Sequence, residues 1–152
     1  MTSRTYKSGA IAILFLSFLT GLAQCSYAQE ASSDSNSSTM DYRPVFDDVR
    51  NGISTGNVGL ISRHVASSVT ISLRGGESGT FSANQAYYVL ADYFKSRRFG
   101  AFEFASIVDS TTSPYATGAT ELVFQGSKES AQVYVGLSLS GKTYKVAQLT
   151  IY

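Results

Sequence analysis

Apolar and polar residues follow a helical period in three stretches of this chain and a period of two in five others. The clearest helix is predicted over Phe81 to Phe94, FSANQAYYVLADYF. Ala86, Val89, Leu90, Tyr93 and Phe94 recur at i, i+3, i+4, i+7 and i+8, which lines one helical face with apolar side chains. Ser82 stands three residues before Gln85, the spacing at which each side chain satisfies an open backbone N–H at the helix start. Lys95, Arg97 and Arg98 are placed in the last turn, where positive charge meets the negative end of the helix dipole. Gly100 is placed to end the helix. Tyr87, Tyr88 and Tyr93 are read first as packing residues, since aromatic side chains at helical spacing usually serve a core.

Two shorter helices are expected upstream. Phe46, Val49 and Ile53 share a face, with Asp41 or Thr39 available as cap and Pro44 tolerated in the first turn. Asn51–Gly52 and Thr55 to Asn57 mark the break. Asn57 then caps a second helix whose Leu60, Ile61, His64 and Val65 point one way. From Ser68 to Arg74 the period becomes two, with Val69, Ile71 and Leu73 on one face. Gly75 to Gly79, GGESG, is expected as a plain loop, because it lacks the Lys and Ser/Thr of a phosphate-binding glycine loop.

Four strands are predicted after the long helix, over residues 102–108, 115–125, 131–139 and 142–152. In the first, Phe102, Phe104, Ser106 and Val108 alternate with Glu103, Ala105 and Ile107. Short turns such as Ser140–Gly141 predict antiparallel pairing. Helices gathered ahead of the sheet must cover one of its faces, which makes the fold α+β. Apolar residues on both faces of the last three strands point to a cavity, a dimer contact, or both.

The start of the chain reads as an export signal. Arg4 and Lys7 precede an apolar run from Ala10 to Leu22, too short for a comfortable membrane span, and small residues follow. Ser26 and Ala28 suit a cut after Ala28, giving a signal peptide over 1–28. The alternative is a lipobox, LAQC, with lipid on Cys25, although Gln24 is a poor residue before a modified cysteine. Cleavage after Ala28 leaves no cysteine, hence no disulfide and no thiol chemistry. Residues 29–39, QEASSDSNSST, are small and polar without periodicity, as in a flexible linker. Residues 40–152 then suffice for one domain with one core. Removing Arg4 and Lys7 from the 12 basic residues leaves 10 against 11 acidic ones, a net charge of −1. No basic stripe stands out, which argues against nucleic acid as a partner.

Helix, short helix, strand, long helix and then a curved sheet resembles the cone of the nuclear-transport-factor-like (cystatin-like) superfamily. The order is ααβαββββ, with helices packed on a curved mixed or antiparallel sheet. More narrowly, the chain resembles domain of unknown function family 4783, a family of small exported bacterial proteins. The matching pieces are NGISTGNVGLIS at 51–62, SVTISL at 68–73, FSANQAYYVLADYF at 81–94, YATG at 115–118 and YKVAQLTI at 144–151. One departure stands out. The family tends to carry His-x-Gly near the end of the strand after the long helix, where this chain has Ser106, Ile107, Val108 and Asp109. The resemblance implies fold and export, and brings no chemistry with it.

In some relatives of this fold the sheet curls around an isomerase or dehydratase pocket. Such a site needs a carboxylate or a His–Asp pair to move a proton, and a donor such as Tyr for the developing oxyanion. His64 is the sole histidine. Asp109, Glu103 and Glu121 are strand or loop carboxylates, and alternation turns Glu103 away from the face of Phe102 and Phe104. No two acids share an evident apolar face. One histidine and few clustered acids argue against a metal site, and no motif calls for a cofactor. The preferred expectation is an exported, non-catalytic domain that binds a small apolar molecule, a peptide or a protein through its pocket or its sheet face. Tyr87, Tyr115 and Tyr134 are its candidate contacts. The alternatives are an enzyme using His64 with Asp109 or Glu103 and a tyrosine donor, Tyr115 or Tyr134, and a homodimeric envelope module joined through the outer sheet face.

Overall fold

The computed structural model describes residues 40–152; the expected signal peptide and linker, and Cys25, lie outside them. In chain order the elements are α1 (Arg43–Thr55), α2 (Val58–Ser62), β1 (Val65–Leu73), β2 (Ser78–Ser82), α3 (Ala83–Ser96), β3 (Arg97–Phe99), β4 (Glu103–Val108), β5 (Tyr115–Phe124), β6 (Ser127–Ser140) and β7 (Thr143–Ile151). The helices cover the inner face of a seven-stranded sheet ordered β2-β1-β7-β6-β5-β3, with β4 also paired to β5. Every pairing is antiparallel except β1 with β7, which is parallel and makes the sheet mixed.

Local chemistry sets the helix limits. Ser82 accepts from the Gln85 backbone while Gln85 Oε1 accepts from the Ser82 backbone, closing the predicted capping box. Asn57 caps α2 by accepting from the Gly59 N–H at 3.1 Å. Gly56, at φ 69°, ends α1 in the left-handed region, so Asn51–Gly52 is not a break. The C-terminus of α3 departs from expectation. The chain turns extended at Arg97 (φ −128°), and Arg97 to Phe99 pair with Leu122 to Phe124 as β3. Gly100 therefore caps nothing; its N–H donates to Glu121 O. Likewise, GGESG is only partly loop. Ser78 and Gly79 already belong to β2, whose alternation is too short to read.

Two register shifts explain why both strand faces look apolar in the sequence. Leu137 pairs with Val146, but the preceding Gly136 pairs with Gln148, so β7 carries one extra residue there. Tyr144 and Val146 point into the core before this bulge, and Leu149 and Ile151 after it. In β4 the shift between Phe104 and Ser106 does the same. Beyond it Ile107, opposite buried Ala116, follows Phe104 on the inner side, and Ser106 and Val108 do not.

The core fills the cone. Phe46, Val49 and Ile53 of α1, Ala86, Leu90, Tyr93 and Phe94 of α3, and Phe102 pack on Val69, Ile71, Val133, Val135, Leu149 and Ile151 of the sheet. Phe46 meets Phe104 edge-on at 5.4 Å and Phe102 meets Phe104 at 4.9 Å, a favoured aromatic geometry. Gly118 makes room for this cluster. A β-carbon there would stand 2.7 Å from the Phe102 ring.

Candidate functional site

His64 follows α2, and its Nε2 lies 2.6 Å from Asp48 Oδ2 on α1. Arg63 Nη2 takes the other oxygen of the same carboxylate at 2.7 Å. Burial pushes the Asp48 carboxyl up, but hydrogen bonds and positive charge from His64 and Arg63 outweigh it and hold the group below its ordinary value. The junction is further tied to β7, where Val146 N–H donates to His64 O at 2.7 Å and Lys145 Nζ to Arg63 O at 3.3 Å. His64 thus binds α1 to the start of β1.

Asp109 and Glu103 sit elsewhere. They line a surface cleft of about 380 Å³ with Tyr42, Phe46, Phe104 and Ile107. Glu103 pairs with Arg50 at 3.1 Å, and Arg50 also meets Asp47 at 3.5 Å. His64 lines a different cleft with Val45, on another face of α1, and with Asp41, which precedes that helix. The structure therefore does not bring His64 together with Asp109 or Glu103. Its acidic partner is Asp48, whose signal in the sequence was its place at the edge of the α1 apolar stripe, three residues after Val45.

Tyr115 and Tyr134 do come together. On β5 and β6 their rings stack with centroids 5.5 Å apart and planes 27° from parallel. Residue pairing places them on the outer face, diagonal to each other across Thr117 and Gly136. Gly136 leaves space for the stack, since a β-carbon there would stand 3.2 Å from the Tyr134 ring. Two rows cross the sheet on this face. One runs Ser78, Ser72, Thr150, Tyr134, Thr117, Ser106, the other Thr80, Thr70, Gln148, Gly136, Tyr115, Val108. Neither row contains a charge. Tyr87 is apart from both, half-exposed on α3 in a cleft with Val58 and Phe94.

Among the described residues no buried side-chain polar atom lacks a hydrogen-bond partner. No group of three or more His, Cys, Asp or Glu converges as a metal would require, and no helix is long and apolar enough to cross a membrane, again among the described residues. The polar chemistry lies at the surface, and the interior is packed.

Helices laid into a curled mixed sheet define a nuclear-transport-factor-like α+β cone. The chain belongs to the family described as domain of unknown function DUF4783, which it matches over residues 46–152. It is similar in structure to a DUF4783 protein of Bacteroides uniformis, with a TM-score of 0.60 and 15% identity over 69% of this chain and 93% of that one. A DUF4783 protein of Bacteroides ovatus gives a TM-score of 0.58 and 15% identity over 68% and 90%. An epoxide hydrolase of Mycobacterium tuberculosis gives 0.55 and 7% identity over 71% and 78%. At such identities these likenesses speak to the fold alone. No curated protein matches the chain.

Proposed function

We propose that this chain is an exported, non-catalytic binding domain whose contact surface is the outer face of its sheet, and that the first occupant of that face is a second copy of the chain. The carrying observation is the pair of uncharged rows around the Tyr115–Tyr134 stack, set against an interior already filled by Phe46, Phe102, Leu90 and their neighbours. Interface centres are enriched in tyrosine and depleted of charge. A two-fold contact sets a patch against itself, so a patch without charge meets no like charge across the axis. Six strands at about 4.8 Å spacing and two outward rows, some four residues of length, give an uncharged centre of roughly 400 Å², about half of the roughly 800 Å² that each partner of a standard interface buries; the adjoining rows, with Lys145 and Glu103, would form the rim. Export is supported by the charged, apolar and small-residue zones of residues 1–28.

The enzyme reading has less support. His64 is engaged by Asp48 in a surface cleft apart from Asp109, Glu103 and both stacked tyrosines. Sedimentation of the chain from residue 29 onward tests the proposal. A dimer at micromolar concentration, lost on Tyr134→Asp and kept on Tyr88→Asp, supports it. A strict monomer with a measurable turnover abolished by His64→Ala reverses it.

A further inference from the structure

A second surface feature is separate from the sheet face and unused by that reading. Where α1, the α2–β1 junction and the β6–β7 turn meet, they enclose a cleft of about 320 Å³ floored by Val45 and Tyr144. Four cationic or proton-accepting side chains line it: Arg63, His64, Lys142 and Lys145. This gathers three of the 10 basic residues beyond position 28, and the only histidine, in one place on a chain whose net charge there is −1.

Two carboxylates stand within reach: Asp48, engaged on both oxygens, and Asp41, which lines the cleft and is engaged on Oδ1 alone. Asp48 gives one oxygen to Arg63 and the other to His64. Asp41 accepts from the Arg43 N–H at 2.9 Å and faces its guanidinium at 3.8 Å. Among the described residues neither Lys142 nor Lys145 is in an ion pair. Donors are left over. A guanidinium has five N–H groups and an ammonium three, so Arg63 keeps several after serving Asp48, as does Lys145 after serving Arg63 O. The cleft thus sets three cationic side chains and their open donors against one lining carboxylate, Asp41, with a single open oxygen. Asp48 fixes the Arg63 and His64 heads side by side before any ligand arrives, which lowers the ordering cost of binding.

We infer that this cleft binds the phosphate group of a phosphate ester. Arg63 presents the planar fork that meets two phosphate oxygens, Lys142 and Lys145 act as point charges, and Asp48 is a positioning residue. The ester is either a free small molecule or the head group of a lipid, and both carry the same chemistry.

The sole histidine gives a reporter without ambiguity. The chain from residue 29 is titrated at neutral pH with glycerol 3-phosphate, against sodium chloride at matched ionic strength, while the His64 ring proton signals are followed by NMR. In parallel, the chain is sedimented with vesicles of phosphatidylglycerol or of phosphatidylcholine. A saturable shift specific to glycerol 3-phosphate, weakened at least about tenfold by Lys142→Glu, establishes a soluble ester. Co-sedimentation with phosphatidylglycerol alone, lost in Lys142→Glu, assigns the lipid head group. A shift that chloride reproduces together with no vesicle binding, or binding indifferent to Lys142→Glu, overturns the inference. Lys142 sits exposed in the hairpin turn, so the variant keeps the fold. The readout does not depend on the oligomeric state, so failure here leaves the sheet-face reading untouched.

Discussion

Neighbouring residues of β6 lead to two different surfaces. Val133 and Val135 are sealed between sheet and helices, while Tyr134 between them stands outside against Tyr115. Inside, each position is held by several others. Phe102 touches the Phe104 ring, lies over Gly118 and donates its backbone N–H to Ser54 Oγ at 3.1 Å. Outside, Ser, Thr and Gln surround one ring stack, and little of the fold depends on them. Substitutions inside should therefore register as lost stability. Those outside should register as lost association on an unchanged fold.

The strongest way to break that contrast is Phe102→Ala. A buried ring removed from a filled cone costs about 3–5 kcal/mol, read by urea unfolding. A cost near zero would mean that the interior is not filled. Gly118→Ala should follow at about 1–3 kcal/mol, because its β-carbon meets Glu103 O as well as the Phe102 ring. Arg97→Ala sharpens the inner side further. Its guanidinium lies 4.3 Å from the Tyr93 ring centroid and 4.3 Å from that of Phe124, and Nη2 donates to Gly75 O at 2.6 Å. Thermal melting should show a loss of about 1–2 kcal/mol. Tyr134→Ser, on the outer side, should cost at most about 1 kcal/mol, the contribution of the lost stack on Tyr115, when the chain is melted at a concentration too low for it to associate.

The smallest effect is a pH dependence. Asp48 is held below its ordinary value in the folded chain, so its contribution to stability is present above the normal carboxylate range and lost as pH falls through the depressed value. Acid titration of the melting temperature should fall less steeply below about pH 4 in Asp48→Asn than in wild type. An identical acid limb would show that the His64–Asp48–Arg63 contact contributes nothing.

Much of this architecture was legible in residue spacing. The Ser82–Gln85 box, the Asn57 cap and the α1 and α3 apolar faces all lie within single turns, where local rules act alone. What escaped depends on pairing across the chain. Nothing near Val65 says that β1 runs parallel to β7, and nothing in YKVAQLTI announces the bulge that turns Leu149 inward where Val146 already points. The Asp48–His64 contact joins α1 to the turn between α2 and β1, so it was invisible for the same reason. The Tyr115–Tyr134 pair was singled out residue by residue, but its stacking required the β5–β6 register.

The claim that the outer face is where this domain meets its copy is tested most directly by locating the contact. The chain from residue 29 has no cysteine, so single labelling sites can be placed at will. Spin labels at Thr117→Cys, on the outer face, should couple strongly between protomers by pulsed electron resonance, whereas labels at Asn84→Cys, on α3, should stay far apart. Strong coupling at Asn84 with none at Thr117, or no coupling at either site, would contradict the account.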